Sequence, residues 1–263
     1  NHLAQAPENG RKTVSYFAKT ELTFNLKWSR IENEQFIQRG GSMENERIRA
    51  IRDAATLLFL QQGYSKTQIS HIAKAVGVSV GTIYLDFTGK QEIMYFILKC
   101  TIDPEFIDRK FERPITDHIF SGLNDEIIAV FEQSASDFSA HLRNGAENYT
   151  FENLISDAFD ILHRYAVGCL FFEKNAFDFQ QLAQYYKKYR VTFLETMMEY
   201  IQIFIEKGTV RPMEHLKLTT TLIIEILTWW AMDMRYTSFE TNDIPVELAK
   251  KICMDNIITA YEQ

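Results

Sequence analysis

The stretch that most constrains the fold of this chain is residues 68–87, which read QISHIAKAVGVSVGTIYLDF. Its first apolar residues recur at i, i+3, i+4 and i+7, which predicts one face of a short helix: Ile69, Ile72, Ala73 and Val76. Gly77 then permits a tight turn, and Ser79 is suited to cap a second helix. Two short helices joined by a glycine turn predict a helix-turn-helix.

Two helices this short cannot bury a core alone, so flanking helices must pack against them. Upstream, an amphipathic stripe ends before Gly63, which can serve as a glycine C-cap, and it comprises Ile48, Ile51, Ala55, Leu58 and Phe59. Downstream, residues 90–100 carry apolar side chains at helical spacing. Within the second helix, Ile83 and Phe87 share an inward face. The opposite face is left to enter a groove.

Residues 47–94 resemble the DNA-binding domain of the TetR family of transcriptional regulators. The resemblance rests on an ordered set of short motifs: the alanine pair before Phe59, Gly63-Tyr64, Thr67, Ile72-Ala73, Gly77-Val78-Ser79, Gly81-Thr82-Ile83-Tyr84, Phe87 and Lys90. Members of that family are dimeric, and most are repressors. The resemblance therefore implies an all-α fold, with an N-terminal three-helix helix-turn-helix DNA-binding head and a C-terminal helical bundle for ligand binding and dimerisation.

The recognition helix of such a head begins at Ser79, Val80 and Gly81. In a helix-turn-helix, these N-terminal residues are expected to meet base edges in the major groove. Val80 offers apolar contact to a thymine methyl, and Gly81 lets the backbone approach closely. Leu85 lies on the same outward face and completes this set.

A second set of residues is predicted to contact phosphates. Thr67 and Gln68 begin the first helix of the motif, where a hydroxyl and backbone N–H groups can hold a phosphate. Thr82, Tyr84 and Lys90 resemble the phosphate-contacting positions of the family. These residues position the head and do not specify the sequence that it reads.

Two departures from the family pattern affect the predicted DNA contacts. Asp86 stands where a histidine or an aromatic residue is common, and a carboxylate there would repel a phosphate. Gly89 replaces a capping serine or asparagine, so the fourth helix starts less firmly. Asp86 keeps an alternative function open: a helical dimer that acts through protein partners, or that binds a ligand without regulating DNA.

The charge of the chain does not exclude DNA binding. The 263 residues carry a net charge of −7, but residues 44–101 hold seven basic and five acidic side chains and are net positive. The apolar content of 46% indicates a globular protein. The sequence lacks an apolar run long enough for a membrane span and has no signal peptide, so we expect a cytoplasmic protein without a membrane partner.

Three domains are expected: a leader or accessory segment at 1–43, the head at 44–101, and a helical ligand-binding and dimerisation domain at 102–263. The first segment lies outside the resemblance. Residues in it alternate as a strand would, namely Leu22, Phe24, Leu26 and Trp28. It is either a segment without regulatory function or a basic arm that touches DNA.

Helical patterns continue through the second half, at 125–142, 151–173, 178–207, 213–236 and 246–261. In the architecture that the resemblance implies, the last two helices of each subunit form a four-helix dimer interface. The residues that suit this role are Leu218, Leu222, Ile226 and Trp229 on one helix, with Ile252, Asn256, Thr259 and Ala260 on the other. We therefore expect a homodimer.

Aromatic side chains crowd the middle helices and predict an apolar cavity for a small apolar or aromatic effector. The candidate lining residues are Phe172, Tyr189, Phe193, Met197, Trp229 and Trp230. Asp160 and His163, at i and i+3, are candidates for orienting the ligand. The alternative is that each aromatic residue belongs to the core and that Asp160 and His163 lie at the surface.

Catalytic motifs are missing from the sequence. It shows no glycine-rich phosphate loop, no nucleophile elbow and no paired-cysteine metal site. Asp160 and His163 have the spacing of di-iron bundle ligands, but that site needs the motif twice. The chain is expected to be neither an enzyme nor a cofactor protein. Its predicted partners are a palindromic double-stranded DNA operator and an effector that releases it.

Overall fold

A computed structural model describes residues 43–239 and 244–263 of the chain. In these residues the backbone is α-helical, with short 3-10 turns and two isolated β-bridges. The prediction of an all-α fold is confirmed. The predictions for residues 1–42, including the strand-like alternation and the basic arm, lie outside the described residues.

The head is built from four helices: α1 (Met43–Gln61), α2 (Ile69–Val76), α3 (Val80–Asp86) and α4 (Lys90–Ile102). The predicted apolar stripes face one another, and Leu58, Ile69 and Val76 are their partly buried members. The other members are almost fully buried: Ile48, Ile51, Ala55, Phe59, Ile72, Ile83, Phe87, Ile93 and Phe96. Gly63 follows α1 with a φ of 93°, the left-handed conformation that a glycine C-cap requires. Helices α1 and α4 therefore clamp the helix-turn-helix as expected.

The body follows with six helices: α5 (Leu123–Phe138), α6 (Phe151–Arg164), α7 (Ala166–Lys174), α8 (Gln180–Glu206), α9 (Leu216–Thr228) and α10 (Val246–Tyr261). Helix α9 is prolonged by a π-helical segment, Trp229–Asp233, and a last turn, Met234–Tyr236. Short 3-10 helices at Pro104–Asp108 and Asp117–Phe120 connect α4 to α5, and a third, Ala140–Asn144, follows α5.

The helix predicted over 151–173 is in fact two helices. Tyr165 leaves the helical conformation, with φ −102° and ψ 11°, and separates α6 from α7. The bend lets α7 pass close to α4, where a Cβ on Gly168 would lie 3.2 Å from the Thr101 side chain. Because neither glycine nor proline marks this break, the helical periodicity runs through it without a signal.

The head and the body share one hydrophobic core. At one junction the Tyr64 N–H donates to Asn175 Oδ1 at 2.7 Å, and the Ser65 hydroxyl donates to Asp178 Oδ1 at 2.6 Å. The Tyr64 ring packs edge-on against Phe171 and Phe179. The body thus holds the loop that leads into α2. Across the described ranges, no helix is long and apolar enough to cross a bilayer.

Candidate DNA-binding site

The turn between α2 and α3 closes as the sequence predicts. Gly77 has a φ of 77°, and the Val78 N–H donates to the Ala73 carbonyl at 2.9 Å, which caps the C-terminus of α2. Ser79 caps α3, because its hydroxyl accepts the Thr82 N–H at 3.1 Å. These bonds fix the start of α3 relative to α2.

Helix α3 presents an exposed, largely apolar face to solvent. Val80, Tyr84 and Leu85 are 40%, 48% and 65% exposed, while Ile83 on the opposite side is fully buried. Gly81 is also exposed and adds no side chain to this face. Isolated apolar side chains are common on protein surfaces, but three on one short helix suit a surface that another molecule covers.

Two of the predicted polar contacts lie at the edge of this face. Gln68 is exposed at the N-cap position of α2. Thr82 is half-buried, and its hydroxyl lies 2.9 Å from the Ser79 hydroxyl within hydrogen-bond distance. Both remain candidates for contacts with the DNA backbone.

The prediction that the Thr67 hydroxyl holds a phosphate is wrong. Thr67 is buried, and its hydroxyl donates to the Gly63 carbonyl at 2.8 Å. The same oxygen accepts a hydrogen bond from Gln62 Nε2 at 3.0 Å. Thr67 therefore closes the loop between α1 and α2, and its side chain is not available to DNA.

Lys90 holds the same loop from the other side. Its ammonium group donates to the carbonyl oxygens of Tyr64 and Thr67, at 2.8 and 3.0 Å. The Nζ atom also lies 4.1 Å from the centre of the Tyr64 ring, a cation–π contact. Burial lowers the pKa of this ammonium group, an effect opposed by the negative charge of Asp178. Its predicted phosphate contact stays a prediction, next to this internal role.

Asp86 does not face the DNA-binding surface, which corrects the expectation that it repels a phosphate. It is fully buried at the end of α3 and accepts hydrogen bonds from two arginines. Arg47 Nε donates to Oδ2 at 2.5 Å, and Arg113 Nη1 donates to Oδ1 at 2.8 Å. The two guanidinium groups balance its charge. Sequence reasoning missed both arginines, which lie far from Asp86 along the chain.

A cavity of about 270 Å³ lies within the body, between α5, α6, α7, α8 and α9. Its walls are mainly aromatic and aliphatic: Phe131, Ile161, Leu162, Tyr165, Cys169, Tyr186, Tyr189, Val191, Phe193, Leu194 and Ile224, with Thr221 and Thr228. Charged side chains at its border are Lys187, Arg190 and Glu225. Burial raises the pKa of the Cys169 thiol to about 12 and also raises the pKa of Tyr189. The cavity lining is therefore mainly apolar, with the charged side chains of Lys187, Arg190 and Glu225 added to it.

Only part of the predicted ligand set lines this cavity. Tyr189 and Phe193 do. The others lie outside its wall: Phe172 and Met197 are core residues, Trp230 is partly buried, and Trp229 is 45% exposed. The expectation for these four residues is therefore corrected, because a helix brings only one of its faces to a cavity.

The prediction for Asp160 and His163 is also wrong for this cavity. The Lys250 ammonium group donates to Asp160 Oδ2 at 2.6 Å, so the carboxylate ties α6 to α10 at the surface. His163 Nδ1 lies 3.3 Å from the Ala231 carbonyl oxygen. The polar group that sequence reasoning missed is Arg190, which donates to Glu173 at 2.7 Å and to Glu225 at 3.0 Å. Within residues 43–239 and 244–263, no group of three or more His, Cys, Asp or Glu is arranged to hold a metal ion.

Residues 51–94 match the family model for bacterial regulatory proteins of the tetR family. The chain is 42% identical over 62 residues to the fatty acid metabolism regulator protein of Bacillus subtilis (strain 168). The matched residues make up 24% of this chain and 31% of that protein. It is also 45% identical over 58 residues to the HTH-type transcriptional regulator HbdR of Aromatoleum sp. (strain CIB), and these residues make up 22% of this chain and 25% of that protein. Each match spans less than a third of the relative's own length. The matched family and both relatives are described as transcriptional regulators.

Two solved structures are similar over most of the chain. The ketosteroid transcriptional regulator KstR2 of Mycobacterium tuberculosis matches with a TM-score of 0.46 and 16% identity, over 86% of this chain and 100% of that one. The fatty acid degradation regulator FadR of Bacillus halodurans matches with a TM-score of 0.34 and 20% identity, over 79% and 94%. Both likenesses are remote.

Proposed function

We propose that this chain, which carries the helix-turn-helix domain of the TetR family of bacterial regulatory proteins, regulates transcription by binding a DNA operator as a homodimer. The observation that carries the proposal is the exposed face of α3, formed by Val80, Gly81, Tyr84 and Leu85. This face is fixed at its start by the Ser79 cap and at its end by the buried Asp86. A rigid, exposed helix of this kind is what a major groove can receive.

A homodimer is supported by the outer surfaces of α9 and α10. Leu218 and Leu222 are 69% and 53% exposed on α9, next to the exposed Trp229. Asn256, Thr259 and Ala260 are exposed on α10, and Ile252 is half-exposed. An apolar surface beside small and polar residues suits a self-complementary contact. Two heads joined in this way would read half-sites about 34 to 36 Å apart, or a multiple of that distance.

The cavity supports ligand control of this DNA binding. Its size and aromatic lining suit a small apolar or aromatic effector, with Arg190 and Glu225 at the border to orient it. We expect the effector to favour a state in which the two heads are wrongly spaced, and so to weaken operator binding by about 1 to 3 kcal/mol. The protein would then act as a repressor. The expected cytoplasmic location belongs to the same proposal.

The proposal is tested by selecting binding sites for the purified chain from a pool of random double-stranded DNA. We expect enrichment of a sequence with two-fold symmetry. Affinity for it should fall as salt rises, because each basic side chain at the interface releases counterions from the DNA. If no sequence is enriched over the starting pool, DNA regulation is ruled out and the partner-binding function takes its place.

A pair of matched variants tests whether α3 is the reading surface. Leu85→Asp should weaken binding to the selected DNA by at least about tenfold, because it puts a negative charge next to phosphates. Ile119→Asp makes the same change at another exposed apolar side chain, in the 3-10 helix Asp117–Phe120, and should leave affinity unchanged. Equal affinities of both variants would contradict the assignment of α3.

The alternative function, a helical dimer that acts without DNA, loses its main support in the structure. It rested on an acidic residue facing the DNA, and Asp86 is instead buried and charge-balanced. DNA regulation is therefore the function that the geometry supports best.

A further inference from the structure

We propose that Arg113, in the segment between α4 and α5, positions the recognition helix α3 by holding Asp86, and that this contact sets the permitted spacing between the two half-sites of the operator. The inference rests on the proposed DNA-binding function. It concerns a side chain that touches neither the exposed face of α3 nor the cavity. Arg113 is thus a positioning residue, which would act on DNA through Asp86.

The Asp86 carboxylate is held from two separate parts of the molecule. Arg47 belongs to α1 and donates from Nε to Oδ2 at 2.5 Å and from Nη2 to Oδ1 at 2.7 Å. Arg113 approaches from outside the four-helix head and donates from Nη1 to Oδ1 at 2.8 Å. A fully buried carboxylate without such partners would be strongly unfavourable. The orientation of α3 therefore depends on both arginines.

The backbone just after Arg113 is also bonded to the end of α3. The Ile115 N–H donates to the Asp86 carbonyl at 2.7 Å, and the Thr88 N–H donates to the Ile115 carbonyl at 3.0 Å. The C-terminal carbonyl groups of a helix lack partners within the helix, and here residue 115 supplies one. We call residues 113–115 the strap. The strap thus holds the C-terminal end of α3 by its backbone as well as by a side chain.

The segment around the strap packs against α4 and then continues along the chain into the body. Ile115 is buried, and Phe111 just before the strap packs against Phe96 and Phe106 with ring centres 5.4 and 5.1 Å away. Beyond the strap, the 3-10 helix Asp117–Phe120 leads directly into α5, whose Phe131 lines the cavity. The strap therefore joins α3 to the element that contacts the predicted effector.

The two arginines should have different effects on DNA reading. The bond from Arg47 fixes α3 to α1 within one head and does not depend on the position of that head relative to the body. The bond from Arg113 fixes α3 to the strap, which continues through the 3-10 helix Asp117–Phe120 into α5 of the body. In a dimer, the bodies would determine how far apart the two heads are held. Loss of Arg113 should therefore make operator affinity less dependent on half-site spacing. Loss of Arg47 should mainly lower the stability of the head.

The experiment compares Arg113→Gln with the matched control Arg47→Gln, each of which removes one guanidinium group from the same carboxylate. The probes are the duplex that the wild-type chain selects from random DNA and variants of it with half-sites moved one or two base pairs apart. For the wild type we expect at least about a tenfold loss of affinity on the altered spacings. For Arg113→Gln we expect the loss of affinity on the altered spacings to shrink to about threefold. Arg47→Gln should lower the melting temperature and keep the wild-type spacing profile.

A wild-type spacing profile in Arg113→Gln, or the same flattening in Arg47→Gln, would overturn the inference while the proposed function stands. Failure of the wild type to select any duplex would overturn both. If Arg113→Gln does not fold, Arg113→Lys decides, because lysine keeps the charge but loses the planar fork of arginine. Arg113→Lys should also reduce the loss of affinity on the altered spacings, but by less than Arg113→Gln does. An affinity profile like that of the wild type would refute the role of Arg113.

Discussion

The ammonium group of Lys90 stabilises the loop that leads into the helix-turn-helix. It donates to the Tyr64 and Thr67 carbonyls and lies over the Tyr64 ring. Lys90→Met keeps most of the aliphatic stem but removes the ammonium donor from both carbonyl groups, of which that of Tyr64 still accepts the Thr67 N–H. We expect the free energy of unfolding in urea to fall by about 2 kcal/mol, the scale of a lost charge-assisted hydrogen bond in a partly buried site.

Lys74→Met is the matched control, because Lys74 lies exposed on α2 of the same head. Its effect on the free energy of unfolding should stay within about 0.5 kcal/mol, as for most surface substitutions. If Lys90→Met keeps wild-type stability and only reduces the salt dependence of DNA binding, then Lys90 is a phosphate contact and its internal bonds contribute little.

The exposure of some side chains in the head was predictable from the sequence, and that of others was not. Part of the exposed face of α3 was predictable, because the helix register places Leu85 opposite the buried Ile83, while Tyr84 was predicted from the family resemblance. The burial of Thr67 and Asp86 was not predictable, because both are polar and their partners are set by tertiary contacts. For Asp86 these partners come from α1 and from the strap, at sequence separations of 39 and 27 residues.

The recognition helix depends on its N-cap because α3 has only seven residues. The Ser79 hydroxyl accepts the Thr82 N–H, one of the donors that a helix start leaves without a partner. Ser79→Ala should lower the free energy of unfolding by about 1 kcal/mol. Urea denaturation of the purified chain measures this loss.

Ser70→Ala provides the comparison for Ser79→Ala. Ser70 is exposed on α2, within the same motif, and its hydroxyl makes a hydrogen bond of 3.4 Å to Gln68 Oε1. Its removal should cost less than about 0.5 kcal/mol. Equal losses from both variants would show that the Ser79 cap adds nothing to the stability of α3.

The short helices of the head were predictable because their signals are local. Gly77 and Ser79 mark the end of α2 and the start of α3, and the apolar spacing defines the face that each helix buries. The break at Tyr165 between α6 and α7 has no such signal. The bend brings Gly168 of α7 close to Thr101 of α4, a packing relation that no local sequence signal specifies.

Dimer formation through α9 and α10 can be tested at Leu222, which is more than half exposed on α9. Leu222→Glu would place two negative charges near each other in a self-complementary interface, since each subunit contributes the same surface. We expect the chain to sediment as a monomer at micromolar concentration. Operator affinity should fall at least about tenfold, because a single head makes half of the contacts.

Phe177→Glu is the control for Leu222→Glu. Phe177 is also strongly exposed, but it lies between α7 and α8, away from the predicted interface. This variant should sediment as the wild type does and keep its operator affinity. A dimer that survives Leu222→Glu unchanged would require a different interface.

Composition alone predicted that a cavity exists but not which residues line it. The aromatic content of the middle helices predicted an apolar cavity, and α8 does contribute Tyr189 and Phe193 to its lining. The selection of residues required the tertiary structure, because rotation of each helix decides which face turns inward. Met197, one turn beyond Phe193 on α8, is completely buried in the core instead.

The buried carboxylate of Asp86 also limits how this region can evolve. Loss of either Arg47 or Arg113 removes a counter-charge from it, whereas joint replacement of all three by apolar residues leaves no buried charge to balance. The effects of substitutions at these positions should therefore be strongly non-additive. Among diverging descendants of this chain, we expect the three residues to be kept or replaced as a set. The acidic residue at the end of α3 then meets a packing requirement and does not by itself count against DNA binding.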